Sequence, residues 1–212
     1  MMELFVLLIV AAYLLGSVPF GVLIATAHGK DLRSIGSGNI GATNVARALG
    51  KKWAYVCFVL DCFKGLVPML VAKLFVRELT AGALSLWLAV GCAAIIGHVF
   101  PVYLRFKGGK GVATSLGVVL GLYPYYTIPG IIALAIWVVV VLIWRYISLA
   151  SIASAIAFPI SLITLIAVLS DWRLVQLWPL IVAALVMVLL VVVRHAENIK
   201  RLLEGSESKV LQ

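Results

Sequence analysis

Charge is what this chain has least of. Of its 212 residues only 12% are Asp, Glu, Lys or Arg, and only eight are acidic. A water-soluble domain carries about 25% charged residues, so this sequence cannot clothe a soluble surface of its own length. The eight acids form no run of aspartates, which excludes phosphotransferases that hold divalent metal on such a run. Cys57, Cys62 and Cys92 lie inside apolar stretches without zinc-type spacing, so neither a disulfide framework nor a metal site is expected. There is no convincing internal repeat, which counts against an inverted-repeat transporter. No soluble module is long enough to hold nucleic acid, so the net charge of +9 points to topology and to anionic lipid.

What fills the chain instead is apolar. Hydrophobic residues make up 64% of it and the mean hydropathy is +1.18. Runs near the ~20 residues needed to cross a bilayer recur, and they are too long for the alternating segments of a barrel. The expected fold is therefore an all-α integral membrane protein of about seven transmembrane helices. They fall over residues 4–27, 53–75, 81–103, 112–123, 127–144, 149–169 and 174–193. The fourth is short, ends before Pro124, and is expected to be tilted, half-buried or re-entrant. No Lys or Arg precedes the first run, so it reads as a retained helix rather than a cleaved signal. Residues 1–203 form the membrane domain and 204–212 a loose polar tail.

Basic residues favour the cytoplasmic side of a membrane. Lys30, Arg33, Arg47, Lys51 and Lys52 follow the first span, Arg105, Lys107 and Lys110 the third, and Arg145 the fifth. Arg194, Lys200, Arg201 and Lys209 follow the seventh, so thirteen of the seventeen Lys and Arg fall on one set of connections. That pattern places the N-terminus outside and the C-terminus inside. Trp53, Trp144 and Trp172, near span ends, read as interface anchors.

The informative residues sit on those inner connections. The first carries Gly36, Ser37, Gly38, Asn39, Gly41, Thr43, Asn44 and Arg47. Its glycine spacing imitates the dinucleotide fingerprint, but charged residues precede it and a membrane helix follows, where that fingerprint needs a βαβ unit. What survives is a glycine-rich backbone suited to an anion. If the chain is helical from Asn39, then Asn39, Thr43 and Arg47 share one face. The second connection carries Gly108, Gly109, Lys110, Gly111 and Thr114. It is no Walker A loop, since Gly111 stands where Ser or Thr is required, yet glycines around a lysine at a helix start make an anion cradle. A flexible polar loop and a tight turn remain the plain alternatives for the two. The third cluster, Arg194, His195, Glu197 and Asn198, puts His195 and Asn198 on one helical face, with Arg194 able to pair with Glu197 or Asn198. Within the membrane, Asp61 and Lys64 lie one turn apart and are expected to neutralise each other, and His98 reads as a hydrogen-bonded core histidine.

Three stretches, residues 36–51, 97–114 and 194–198, resemble the bacterial acyl-phosphate–glycerol-3-phosphate acyltransferases, in order and over nearly the whole chain. The resemblance implies a multi-pass enzyme of the bacterial inner membrane with its active site facing the cytoplasm. It would make lysophosphatidic acid from a fatty acyl phosphate and glycerol 3-phosphate, the first acylation of phospholipid synthesis. It implies no cofactor and no metal. The expected partners are acyl phosphate, glycerol 3-phosphate and membrane lipid, with a monomer as the working state. The implied site is Ser37, Arg47, Lys110, His195 and Asn198, with Gly38, Asn39, Thr43, Asn44, Gly108, Gly109, Gly111 and Thr114 binding substrate.

The chemistry agrees. An acyl phosphate is an activated mixed anhydride, so no covalent nucleophile is required, and the chain has no Gly-x-Ser-x-Gly elbow. No His is followed by Asp five positions on, so a His-x4-Asp scheme is also missing. Arg47, Lys110 and the amides of residues 108–111 would hold the acyl phosphate, while Ser37, His195 and Asn198 would position glycerol 3-phosphate. The proton acceptor stays open between His195, whose unperturbed pKa of ~6.5 permits it, and the substrate phosphate. A transporter for a phosphorylated solute is the rival, but residues 127–193 offer few polar groups to line a path.

Overall fold

The computed structural model describes residues 2–209, which hold helices and no strand. The order is α1 (Met2–Ser17), α2 (Phe20–Ala27), α3 (Ala42–Leu49), α4 (Lys51–Lys73), α5 (Ala81–Val99), α6 (Val112–Gly121), α7 (Thr127–Trp144), α8 (Ile147–Val168), α9 (Leu174–Arg194) and α10 (Ala196–Leu203). Six segments are long and apolar enough to cross a membrane: Met2–Ala27, Lys51–Lys73, Ala81–Leu104, Thr127–Trp144, Ile147–Val168 and Leu174–Arg194. They coincide with six of the seven expected spans. The remaining one is α6, which at 10 residues rises only ~15 Å, about half of a ~30 Å hydrocarbon layer.

The chain divides into two compact units. One comprises the residues up to Arg77 together with Leu86–Gly121; the other comprises Glu78–Ser85 and the residues from Leu122 onward.

Glycine governs the packing of the first unit. A Cβ on Gly65 would run into the carbonyl oxygen of Thr114, and one on Gly117 into that of Cys62, so α4 and α6 meet backbone to backbone. Gly16 against Ala94, and Gly97 against Tyr13, bring α1 and α5 equally close. Small residues are the usual device where lipid supplies no hydrophobic drive between helices. Pro19, which has no N–H and disfavours helix in the residue before it, separates α1 from α2. The carbonyl of Val18 at that break accepts a 2.9 Å hydrogen bond from Lys64 Nζ. α3 is amphipathic: Val45 is buried with Ala25, Leu32, Ile40 and Cys57, while Thr43 and Arg47 face out. Gly50, at φ +88°, turns the chain from α3 straight into α4, a conformation glycine adopts without strain.

The second unit is more apolar. Val140 and Val141 of α7 pack on Ala150 of α8. The few polar groups there are locally satisfied, as in membrane interiors generally. Tyr126 donates to the carbonyl of Leu180 (2.6 Å), and Trp137 Nε1 to Ser151 Oγ (3.3 Å). The tail is not loose through its described part. After Gly205, at φ +69°, residues 206 and 207 turn back and hydrogen-bond to the carbonyl of Arg201. The polar tail from residue 204 onward thus begins with an anchored segment.

Candidate active site

The first connection is knotted by Asn44. Its side chain is buried at the start of α3, where Oδ1 accepts from the Ser37 amide (3.0 Å) and Nδ2 donates to the carbonyls of Leu32 (3.0 Å) and Ile35 (2.9 Å). Asn44, expected to bind substrate, thus holds the loop that presents Ser37. Ser37 itself is exposed between Gly36 and Gly38, both at positive φ. Gly36 lies against Arg47: a Cβ there would stand 3.0 Å from Arg47 Cδ. The helix starts at Ala42, not at Asn39, because Asn39 Oδ1 accepts from the Gly41 amide (2.9 Å) and keeps this stretch in a turn. Thr43 and Arg47 share an exposed face as expected; Asn39 does not lie on it.

The second connection folds just as tightly. The amide of Gly108 donates to the carbonyl of Val99 (3.1 Å) and that of Gly109 to His98 (3.1 Å). A Cβ on Gly108 would strike the His98 carbonyl, and one on Gly109 the His98 ring. These two glycines therefore serve close approach, and their amides are already used. The expectation that all amides of residues 108–111 cradle an anion is corrected to that extent. Lys110 is half-buried, Gly111 sits at φ +83° directly before α6, and Thr114 is fully buried on that helix.

Arg33 ties the two connections together. Its Nη1 donates to the carbonyl of Gly38 (3.3 Å) and its Nη2 to that of Lys107. In the sequence Arg33 is one loop cation among many, and only a tertiary contact distinguishes it. His98, read from the sequence as a hydrogen-bonded core histidine, is indeed buried. Its Nδ1 lies 3.6 Å from Asp61 Oδ1, whose Lys64 partner is at 2.6 Å, and Cys57 Sγ is 3.7 Å from Asp61 Oδ2. The Asp61–Lys64 pairing is as expected, and it reaches the residue that supports Gly109.

In the second unit, His195 falls at the break between α9 and α10 and is buried. Its Nδ1 is 2.7 Å from the carbonyl of Val191. A carbonyl only accepts, so Nδ1 carries the proton and, in the neutral ring, Nε2 carries the lone pair. Asn198, in the first turn of α10, is also buried and donates through Nδ2 to Glu207 Oε1 (2.6 Å). Glu207 also accepts from Ser148 Oγ (2.7 Å) and Arg201 Nε (2.7 Å). Burial raises its pKa, but the bonds from Ser148, Asn198 and Arg201, with the Arg201 charge, outweigh that and hold it below the usual carboxylate range. Among the described residues no three His, Cys, Asp or Glu side chains converge to hold a metal.

A family model described as glycerol-3-phosphate acyltransferase matches residues 6–205. The chain belongs to the glycerol-3-phosphate acyltransferase family. It is similar to the glycerol-3-phosphate acyltransferase of Geotalea daltonii, 48% identical over 96% of each chain. That of Aquifex aeolicus is 41% identical over 95% of this chain and 97% of its own. Among solved structures, the glycerol 3-phosphate form of PlsY, an integral membrane glycerol 3-phosphate acyltransferase, covers 97% of this chain and 94% of its own at 41% identity and a TM-score of 0.83. The lysophosphatidic acid form of PlsY aligns over the same shares at 40% identity and a TM-score of 0.80. Family membership makes this chain a multi-pass membrane acyltransferase.

Proposed function

We propose that the chain transfers a fatty acyl group from an acyl phosphate to glycerol 3-phosphate, giving lysophosphatidic acid and inorganic phosphate. The observation that carries this reading is the Arg33 link, which fastens a Ser37- and Arg47-bearing loop to the loop that bears Lys110. Two phosphate-bearing substrates call for such a concentration of cations and polar groups, and the full-length similarity to glycerol-3-phosphate acyltransferases supplies the substrate class.

In the reaction, the primary hydroxyl oxygen of glycerol 3-phosphate forms a bond to the acyl carbonyl carbon. The carbon–oxygen bond to phosphate breaks, and phosphate leaves with the electron pair. Arg47 and Lys110 hold the acyl phosphate and stabilise charge on the departing group. Ser37, His195 and Asn198 orient glycerol 3-phosphate. The hydroxyl proton passes to the lone pair on His195 Nε2 or to a substrate phosphate oxygen. Because the donor is already activated, orientation of two bound substrates supplies much of the acceleration. The enzyme works as a monomer in the bacterial inner membrane, N-terminus outside, with these residues facing the cytoplasm where the basic connections lie.

The test is turnover by purified protein of palmitoyl phosphate with radiolabelled glycerol 3-phosphate, alongside Lys110→Ala. Lysophosphatidic acid formed by the native protein and lost in the variant supports the reading. No product from folded protein, with acyl-CoA also failing, overturns it.

A further inference from the structure

We infer that Glu207, in the tail beyond the last helix, is a positioning residue that sets the orientation of Asn198 for glycerol 3-phosphate. The inference rests on the acyl-transfer reading above.

Three donors from two helices converge on this one carboxylate. Ser148 lies in the first turn of α8, Asn198 in the first turn of α10, and Arg201 one turn further along α10. The Glu207 side chain is only 7% exposed, although the backbone around it is a surface tail. The chain is built to bring it there. Gly205 takes a left-handed turn that closes the end of α10, and the amides of Ser206 and Glu207 both donate to the carbonyl of Arg201.

The physical consequence falls on the Asn198 amide. A carboxamide has two ends of nearly the same size and opposite hydrogen-bonding sense, and nothing in its shape selects between them. An ionised carboxylate only accepts, so with Glu207 in place Nδ2 faces the tail and Oδ1 faces away from it. The flipped amide would set oxygen against oxygen. Glu207 thus removes one of the two orientations and anchors the survivor to Ser148 of α8 and Arg201 of α10. Arg201 compensates the carboxylate charge, so the clamp adds no net repulsion toward an anionic substrate. A buried polar side chain fixed in this way is pre-organised for a ligand, and orientation is the quantity this reaction depends on.

The experiment is steady-state kinetics of Glu207→Ala, Glu207→Asp and Glu207→Gln in both substrates, with melting temperature as the check on folding. The expected result for Glu207→Ala is a rise of about tenfold in the KM for glycerol 3-phosphate, with the KM for acyl phosphate within about twofold of native. Glu207→Gln keeps one acceptor oxygen at the same reach but replaces the other with a donor, which faces Arg201 or pairs with the flipped amide, so it recovers only part of the loss. Glu207→Asp, one methylene short, is intermediate. Unchanged KM values, or parallel rises in both, would overturn the inference by making Glu207 a mere staple of the tail. If the Ala variant fails to fold, Glu207→Asp decides: a folded protein with less than about a twofold rise in the KM for glycerol 3-phosphate sinks the proposal. Absence of lysophosphatidic acid from the native protein would instead strike the acyl-transfer reading, so the two failures are distinguishable.

Discussion

In the first unit the candidate residues are held by backbone meeting backbone: Gly108 and Gly109 lie against His98 and Val99, and α6 lies against α4 through Gly65 and Gly117. In the second unit His195 and Asn198 stand at the end of an apolar bundle and are fixed by local contacts. His195 leans on the carbonyl of Val191, and Asn198 on a carboxylate from the tail. The two constructions fail differently. Glycine packing tolerates no added carbon, because the neighbouring atom is backbone or a buried ring. A carboxylate clamp is graded, and responds to length, charge and protonation of one side chain.

Substitutions that sharpen this contrast rank by size. Lys110→Ala should lower turnover by about 10²–10³-fold, the range for removing one donor from a developing anion, read in the radiolabel assay. Gly109→Ala, which adds a carbon against the His98 ring, should cost about a hundredfold by displacing the loop, since a shift near 1 Å is worth that much. A fully active Gly109→Ala would break the comparison. Asp61→Asn leaves Lys64 buried with a weaker partner and should destabilise the fold by about 3–5 kcal/mol, seen in thermal unfolding in detergent. Arg33→Ala, which cuts the link between the connections, should lower kcat/KM about tenfold with a smaller loss of stability, as expected for a hydrogen bond from a charged group.

The smallest effect is on pH. The Glu207 pKa is lowered in the folded chain, so its stabilising contribution is present above the unfolded value of about 4.3 and is lost as pH falls through the folded value. The rate of hydrogen exchange at residues 204–209, taken relative to that of an unfolded chain at the same pH, should therefore be constant from neutral pH down to about 5 and rise only in stronger acid. A rise near neutrality would contradict the clamp.

Much of this was legible in the sequence, for identifiable reasons. Long apolar runs announce helices whatever their partners, and six of them match the structure within a few residues. The Asp61–Lys64 pair was readable because i, i+3 spacing is local. Asn39 was misplaced because its side chain bonds the Gly41 amide and delays the helix to Ala42, a choice that propensity does not display. Arg33, the approach of His98 to Asp61 and the return of Glu207 to Ser148 all join residues far apart along the chain. No spacing rule reaches across 74 or 59 positions. What the sequence could offer there was residue type alone, and a loop arginine or a tail glutamate is usually solvated.

The most direct test of the central claim counts phosphate and lysophosphatidic acid together. Purified protein is mixed with palmitoyl phosphate, once with glycerol 3-phosphate and once without. Direct attack by the substrate hydroxyl predicts equal amounts of the two products in the first case and no release of phosphate in the second. A burst of phosphate matching the enzyme concentration when glycerol 3-phosphate is withheld would reveal a covalent acyl-enzyme and contradict the account.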